Sequence, residues 1–120
     1  MSKLRTVEKY MSALNAQDLN GIVDLYAESA TVEDPIGTPI ITGKDAIREF
    51  YSKATSIELN ACLSGDIRIA GDFAAFPFAI MLSSETGKMR IEVIDTFKFN
   101  EHGLITEMKA YWGEDNCHNV

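Results

Sequence analysis

Met89-Arg90-Ile91-Glu92-Val93-Ile94-Asp95-Thr96-Phe97-Lys98-Phe99 is a strand written in alternation. Met89, Ile91, Val93, Phe97 and Phe99 share one parity, and Arg90, Glu92, Thr96 and Lys98 share the other. Asp95 falls on the apolar parity. Successive strand side chains point to opposite faces, so no register places Asp95 in water without also exposing five large hydrophobes. The pattern therefore predicts a carboxyl group facing the core. Such a group either accepts hydrogen bonds from backbone amides or escapes the cost of burial by keeping its proton.

Around that strand, segments near residues 58–70, 72–82, 88–100 and 104–112 alternate or run apolar. Turn signals separate them at Ser64-Gly65, Gly71-Asp72, Glu85-Thr86-Gly87 and Glu101-His102-Gly103. The first half reads differently. Leu4, Val7, Tyr10, Met11 and Leu14 repeat at helical spacing, and Asp18 is placed to cap a second helix with Leu19, Ile22, Val23 and Tyr26 on its inner stripe. Ala30–Asp34 reads as a brief strand stopped by Pro35, and Ile36–Ile40 as a loop. Thr42 and Asp45 resemble a capping box that opens a third helix through Ile47, Phe50, Tyr51 and Ala54. The expected fold is α+β: one domain over residues 1–120, with three N-terminal helices packed on a curved, mostly antiparallel sheet.

A chain of 120 residues that is 46% hydrophobic can bury one core and no second. Its net charge of −7, with lysines and arginines scattered, argues against nucleic acid or an anionic membrane as partner. Cys62 and Cys117 are too few for a disulfide framework, and Met1–Glu8 turns at once into an amphipathic pattern, so a cytoplasmic home is expected. Cys117-His118-Asn119-Val120 has the outline of a prenylation box without its aliphatic middle.

Tyr10, Tyr26 and Tyr51 lie on the inner stripes of three helices, so their hydroxyls need partners indoors. Each alone reads as a large core residue. Together with Asp95 they could instead form a set of donors aimed at a developing negative oxygen. Asp34 ends a strand beside Glu33 and a proline loop, where partial solvation should keep it ionised; it is either a general base or a turn-initiating Asp before Pro. Phe50, Phe76, Phe78, Ile80, Met108 and Trp112 read as core from which some members line a ligand cavity, with Val93 beside them on the Asp95 strand. Metal ligation finds no support: His102 sits in a hairpin turn, His118 in the tail, and no His or Cys spacing suits zinc. Tyr111 alternates outward.

Asn15-Ala16-Gln17-Asp18-Leu19-Asn20-Gly21-Ile22-Val23, Ala30-Thr31-Val32-Glu33-Asp34-Pro35, Ala46-Ile47-Arg48-Glu49-Phe50-Tyr51, Val93-Ile94-Asp95 and Ala110-Tyr111-Trp112-Gly113-Glu114 are similar, in content and in spacing, to the bacterial ketosteroid isomerases. The resemblance runs nearly end to end. It implies the cone-shaped, nuclear-transport-factor-2-like fold and conversion of 3-oxo-Δ5-steroids to their conjugated Δ4 isomers through a dienolate, without a cofactor. By the same resemblance Asp34 is the catalytic base, and Tyr10 and a protonated Asp95 form the oxyanion hole. Tyr26 and Tyr51 are the tyrosines that support Tyr10, although one branch of the family has phenylalanine at the position of Tyr26. That family is itself an established case of two carboxyls tuned apart. Trp112 and Phe76 fall where apolar side chains touch steroid. The polar stretch Ser52–Glu58 departs from the family pattern and puts ligand size in question. A homodimer through the outer sheet face, where Ile94 and Tyr111 lie, is also implied. Two other uses of such a fold remain open at this stage: an isomerase, cyclase or dehydratase for a smaller enone, and a non-catalytic module that binds an apolar ligand.

Overall fold

The computed structural model describes the backbone of residues 1–120 and every side chain except that of Ser84. Among the described residues, three α-helices run over Lys3–Asn15 (α1), Leu19–Val23 (α2) and Lys44–Thr55 (α3). Eight strands run over Tyr26–Glu33 (β1), Ile41–Thr42 (β2), Leu59–Leu63 (β3), Arg68–Ala70 (β4), Phe73–Ser84 (β5), Gly87–Phe99 (β6), Ile105–Tyr111 (β7) and Cys117–Asn119 (β8). The strands make one sheet in the order β2-β1-β7-β6-β5-β3, with β4 added to β5 and β8 to β6. All pairings are antiparallel but one: β1 lies parallel to β7. The α+β expectation holds.

The long β5–β6 hairpin sets the frame. Its register puts Phe76 opposite Asp95 and Phe78 opposite Val93, and β7 continues the first row with Ala110. The inner row is therefore Phe76-Asp95-Ala110. Register shifts in the β6–β7 and β1–β7 pairings help to curve the sheet around the helices. Phe97, with none of its surface exposed, stands edge-on to Tyr10 and Phe76 at centroid separations of 5.1 Å each and joins α1 to the sheet. Ser2 caps α1 and Asp18 caps α2, the latter through Gly21 N–H at 3.0 Å. A Cβ at Gly21 would lie 2.4 Å from the Asp18 carboxylate, which is why this turn takes glycine.

Several sequence expectations are corrected. Tyr26 begins β1 rather than ending α2, because α2 stops at Val23 and the next residues pair with β7. Strand parity and the helical stripe both point it inward, so the interior position stands. β1 itself starts four residues earlier than the Ala30–Asp34 segment. Thr42 lies in β2, and α3 is capped by Gly43 at φ +92° with no side-chain cap, so the proposed capping box is absent. The segment 58–70 divides into β3 and β4 at its Ser64-Gly65 turn. Leu4, in the first turn of α1, is 45% exposed while Thr6 is buried in its stead. His118 belongs to β8 rather than to a free tail, and its Nε2 meets Glu92 Oε1 at 2.8 Å.

No helix of the described residues is long and apolar enough to cross a membrane. Phe97→Ala should destabilise the fold by about 3–5 kcal/mol, because it empties the contact between α1 and the sheet. Urea denaturation measures this, and a loss below about 1 kcal/mol would mean that the joint lies elsewhere.

Candidate active site

Asp95 forms the floor of a cavity between the sheet and helices α1 and α3. It is 2% exposed, and its Oδ1 is buried without a hydrogen-bond partner. Burial, and secondarily the charge of Asp34, hold its pKa well above the ordinary carboxylate value. A protonated carboxyl at this place is a donor in want of an acceptor.

Above it the three tyrosines form a chain. The Tyr26 and Tyr51 hydroxyls lie 2.6 Å apart, and those of Tyr51 and Tyr10 lie 3.0 Å apart. Burial pushes all three phenols well above their usual pKa, so they stay protonated. Either oxygen of each pair can donate. When Tyr26 donates to Tyr51 and Tyr51 to Tyr10, the Tyr10 proton is left free for a ligand oxygen. Each hydrogen bond in such a chain polarises the next. Helix α1 supplies Tyr10, α3 supplies Tyr51 and β1 supplies Tyr26, so the chain exists only in the folded protein.

Asp34 follows the last residue of β1 and is half-buried. The Trp112 indole Nε1 donates to its Oδ1 at 2.8 Å. Just beyond Asp34, the amide of Ile36 donates to the Ala110 carbonyl at 2.9 Å, which ties the loop to β7. Burial raises the Asp34 pKa, and the Trp112 hydrogen bond opposes that rise by stabilising the anion. Asp34 is thus less solvated than its sequence context suggested, and its carboxylate holds a proton more tightly than an exposed aspartate does.

The cavity encloses about 90 Å³, and Tyr10, Asp34, Tyr51 and Asp95 all open onto it. Its other walls include Phe50, Phe78, Ile80, Val93 and Trp112, as expected, together with Leu14, Ala54 and Leu59. Phe76 and Met108 are not on the wall; both are fully packed core residues behind it. Tyr26 also stays behind, touching the cavity only through Tyr51. Of the polar stretch Ser52–Glu58 only Ala54 reaches the cavity, because the rest lies on the outer side of α3 and in the following loop. Two features escaped sequence reasoning. The Trp112–Asp34 hydrogen bond joins residues 78 positions apart, and Leu59 enters the wall from an edge strand whose inward parity was not legible. Among the described residues, no three His, Cys, Asp or Glu side chains gather into a metal-binding group.

An apolar cavity on an α+β cone, with one buried carboxyl, one half-buried carboxyl and a hydroxyl chain, suits a small polar-headed apolar ligand. The chain belongs to the SnoaL-like domain family, whose pattern matches residues 7–108. It is 34% identical to a steroid Delta-isomerase of Nocardioides simplex, over 88% of this chain and 85% of that one. It is 25% identical to the epoxide hydrolase LasB of Streptomyces lasalocidi, over 88% of this chain and 39% of the relative. The structure of SalBIII, an epoxide hydrolase/cyclase-like enzyme of pyran ring formation in the polyether salinomycin, superposes with a TM-score of 0.91 at 24% identity, covering 98% of this chain and 95% of that one. SalBIII shows the shared fold, and the identity to the Nocardioides simplex isomerase supports an enzymatic role.

The raised pKa of Asp95 has a stability consequence of definite sign. The folded chain keeps a proton that the unfolded chain loses near pH ~3.9, so the Asp95 contribution is most favourable below that pH and declines as pH rises toward the folded-state pKa. Asp95→Asn removes the ionisation. The melting temperature of Asp95→Asn relative to the parent should climb as pH increases from acid to neutral and beyond, and a difference that is flat with pH would show that Asp95 is not held protonated.

Proposed function

We propose that the protein is a steroid Δ-isomerase that moves a proton along a β,γ-unsaturated ketone to give the conjugated isomer. The observation that carries this reading is that the half-buried Asp34 and the buried Tyr10 and Asp95 all open onto one apolar cavity. Asp34, as carboxylate, takes the proton from the carbon between carbonyl and double bond. Negative charge then develops on the carbonyl oxygen, where Tyr10 and the protonated Asp95 donate hydrogen bonds. Asp34 returns the same proton to the far end of the dienolate, so acid, base and atoms balance without a cofactor. Tyr51 and Tyr26 strengthen the Tyr10 donor, and Trp112 holds Asp34 in place. The ketone end of the ligand fits the enclosed volume. The remaining rings of a steroid need more space than about 90 Å³, since drug-sized ligands occupy pockets of roughly 300–1,000 Å³.

The uncovered sheet face supports a homodimer in the same reading. Pro77, Ile94 and Tyr111 stand in one cross-strand row there, and Ile94 and Tyr111 are 49% and 45% exposed. We take a second copy of the chain as their cover. The two free cysteines suit a reducing, cytoplasmic setting.

A second reading has its own support. Asp95 as proton donor and Asp34 as proton acceptor could also open an epoxide, with an internal hydroxyl as nucleophile, and the likeness to LasB points the same way. The tyrosine chain favours the enolate, because an oxyanion that persists through the reaction gains more from stacked donors than an alcohol that is protonated once.

Absorbance of the conjugated enone formed from a Δ5-3-ketosteroid tests the primary reading. Removal of one oxyanion donor, Tyr10→Phe or Asp95→Ala, should slow turnover by about 10²–10³. Asp34→Asn should cost more while binding of a phenolic steroid survives, and parental turnover by Asp34→Asn would reject its role as base. The acid limb of kcat/KM should lie above the ordinary aspartate range, since activity falls as pH drops through the raised Asp34 pKa. Trp112→Phe removes the hydrogen bond that stabilises the anion and should move that limb further up.

A further inference from the structure

One end of the cavity wall is stitched by side-chain amides. Inward positions along β5 run Phe76, Phe78, Ile80 and Leu82, and Phe76 faces Asp95. Ala61 on β3 pairs with Ile80 and Leu59 with Leu82, so Leu59 stands three inward positions along the sheet from the Asp95 row. Leu59, Leu14 of α1 and Ala54 of α3 are the aliphatic residues that these three elements bring to the wall.

Asn15 directly follows Leu14. Its Nδ2 donates to the Ala61 carbonyl at 2.9 Å, and its Oδ1 accepts from the Ala61 N–H at 2.6 Å. Because β3 is an edge strand paired only with β5, the Asn15 amide takes the place that the peptide group of a further strand would fill. Gln17, held at φ +54°, donates through Nε2 to the carbonyl of Thr55, the neighbour of Ala54, at 2.9 Å. Hydrogen bonds thus set the separations of α1, β3 and α3 beside Leu14, Leu59 and Ala54. Neither amide lines the cavity itself.

We propose that Asn15 is a specificity-determining positioning residue, whose two bonds to Ala61 hold α1 against β3 and thereby limit the length of ligand that the cavity accepts. The proposal rests on the reading of this cavity as the ketone site. A ligand longer than a single ring has to part Leu14 from Leu59, and the Asn15–Ala61 pair resists that parting. Room for the displacement exists: on its other side Leu59 borders an open groove of about 630 Å³ that Ile57, Met81 and Leu82 also line. Loosening the pair should therefore favour long ligands over short ones instead of weakening all alike.

The test compares the parent with Asn15→Ala and with Asn15→Asp, which keeps the acceptor for the Ala61 N–H and loses the donor. Affinities for a one-ring phenol and a four-ring phenolic steroid are measured by calorimetry, beside turnover of one-ring and polycyclic β,γ-enones. The ratio of affinities should shift by about tenfold toward the four-ring ligand in Asn15→Ala, the equivalent of one to two hydrogen bonds of ordinary net strength, and by less in Asn15→Asp. An unchanged ratio together with a lowered melting temperature would reduce Asn15 to a tie that only stabilises the fold, and the proposal would be wrong. Should Asn15→Ala not fold, the ratio in Asn15→Asp decides in the same way. A shifted ratio in a protein that isomerises neither enone would keep the role of Asn15 and overturn the reaction.

Discussion

A buried carboxyl group in the inner row of β6, one of whose oxygens finds no hydrogen-bond partner in the protein, is the constraint on which the rest of the site depends. The pairing of β5, β6 and β7 puts Asp95 between Phe76 and Ala110, and a slip of one residue would turn it outward with its whole hydrophobic set. The packing energy of the sheet therefore enforces a position that the carboxyl would not choose. Burial raises its pKa well above the ordinary carboxylate value, and a carboxyl that keeps its proton is a neutral donor. The cavity beside it lies where helices α1 and α3, rather than further strands, cover this face.

Different kinds of element supply the different chemical roles. The long central strand holds the group that must be dry. Helices α1 and α3 deliver phenols from above, with Tyr26 of β1 behind them, and the chain of hydroxyls spans three elements that are remote in sequence. Asp34, the base of the proposed reaction, sits just past a strand end, where the loop is tied to Ala110 and the Trp112 indole holds the carboxylate. Two aspartates on one cavity are thus given unlike surroundings. This is how one scaffold supports acid and base at a single pH.

Relatives of this chain are associated with different reactions. A donor cluster opposite a rim carboxylate suits an enolate, and with small changes it suits an epoxide oxygen. The fold carries the cavity; the hydroxyls, the walls and the ties between elements decide what is done in it. Wall residues such as Leu14, Ala54 and Leu59 carry no chemistry, yet under the role proposed for Asn15 their spacing governs which ligands reach the reacting groups.

By itself the sequence determined the α+β class, the inward direction of Asp95 and the interior placement of all three tyrosines. These follow from periodicities of two and of about 3.6 residues, which are local. The resemblance of its segments to a known family added the candidate roles of Asp34, Tyr10 and Asp95. Tertiary structure alone decided that Tyr26 is a strand residue, that β1 runs parallel to β7, that Trp112 donates to Asp34 and that Phe76 and Met108 lie behind the cavity wall. It also decided that Asn15 pairs with Ala61, 46 residues away. Periodicity tells which way a side chain points; what it meets there depends on register and on helix placement, which are settled by the packing of the whole chain.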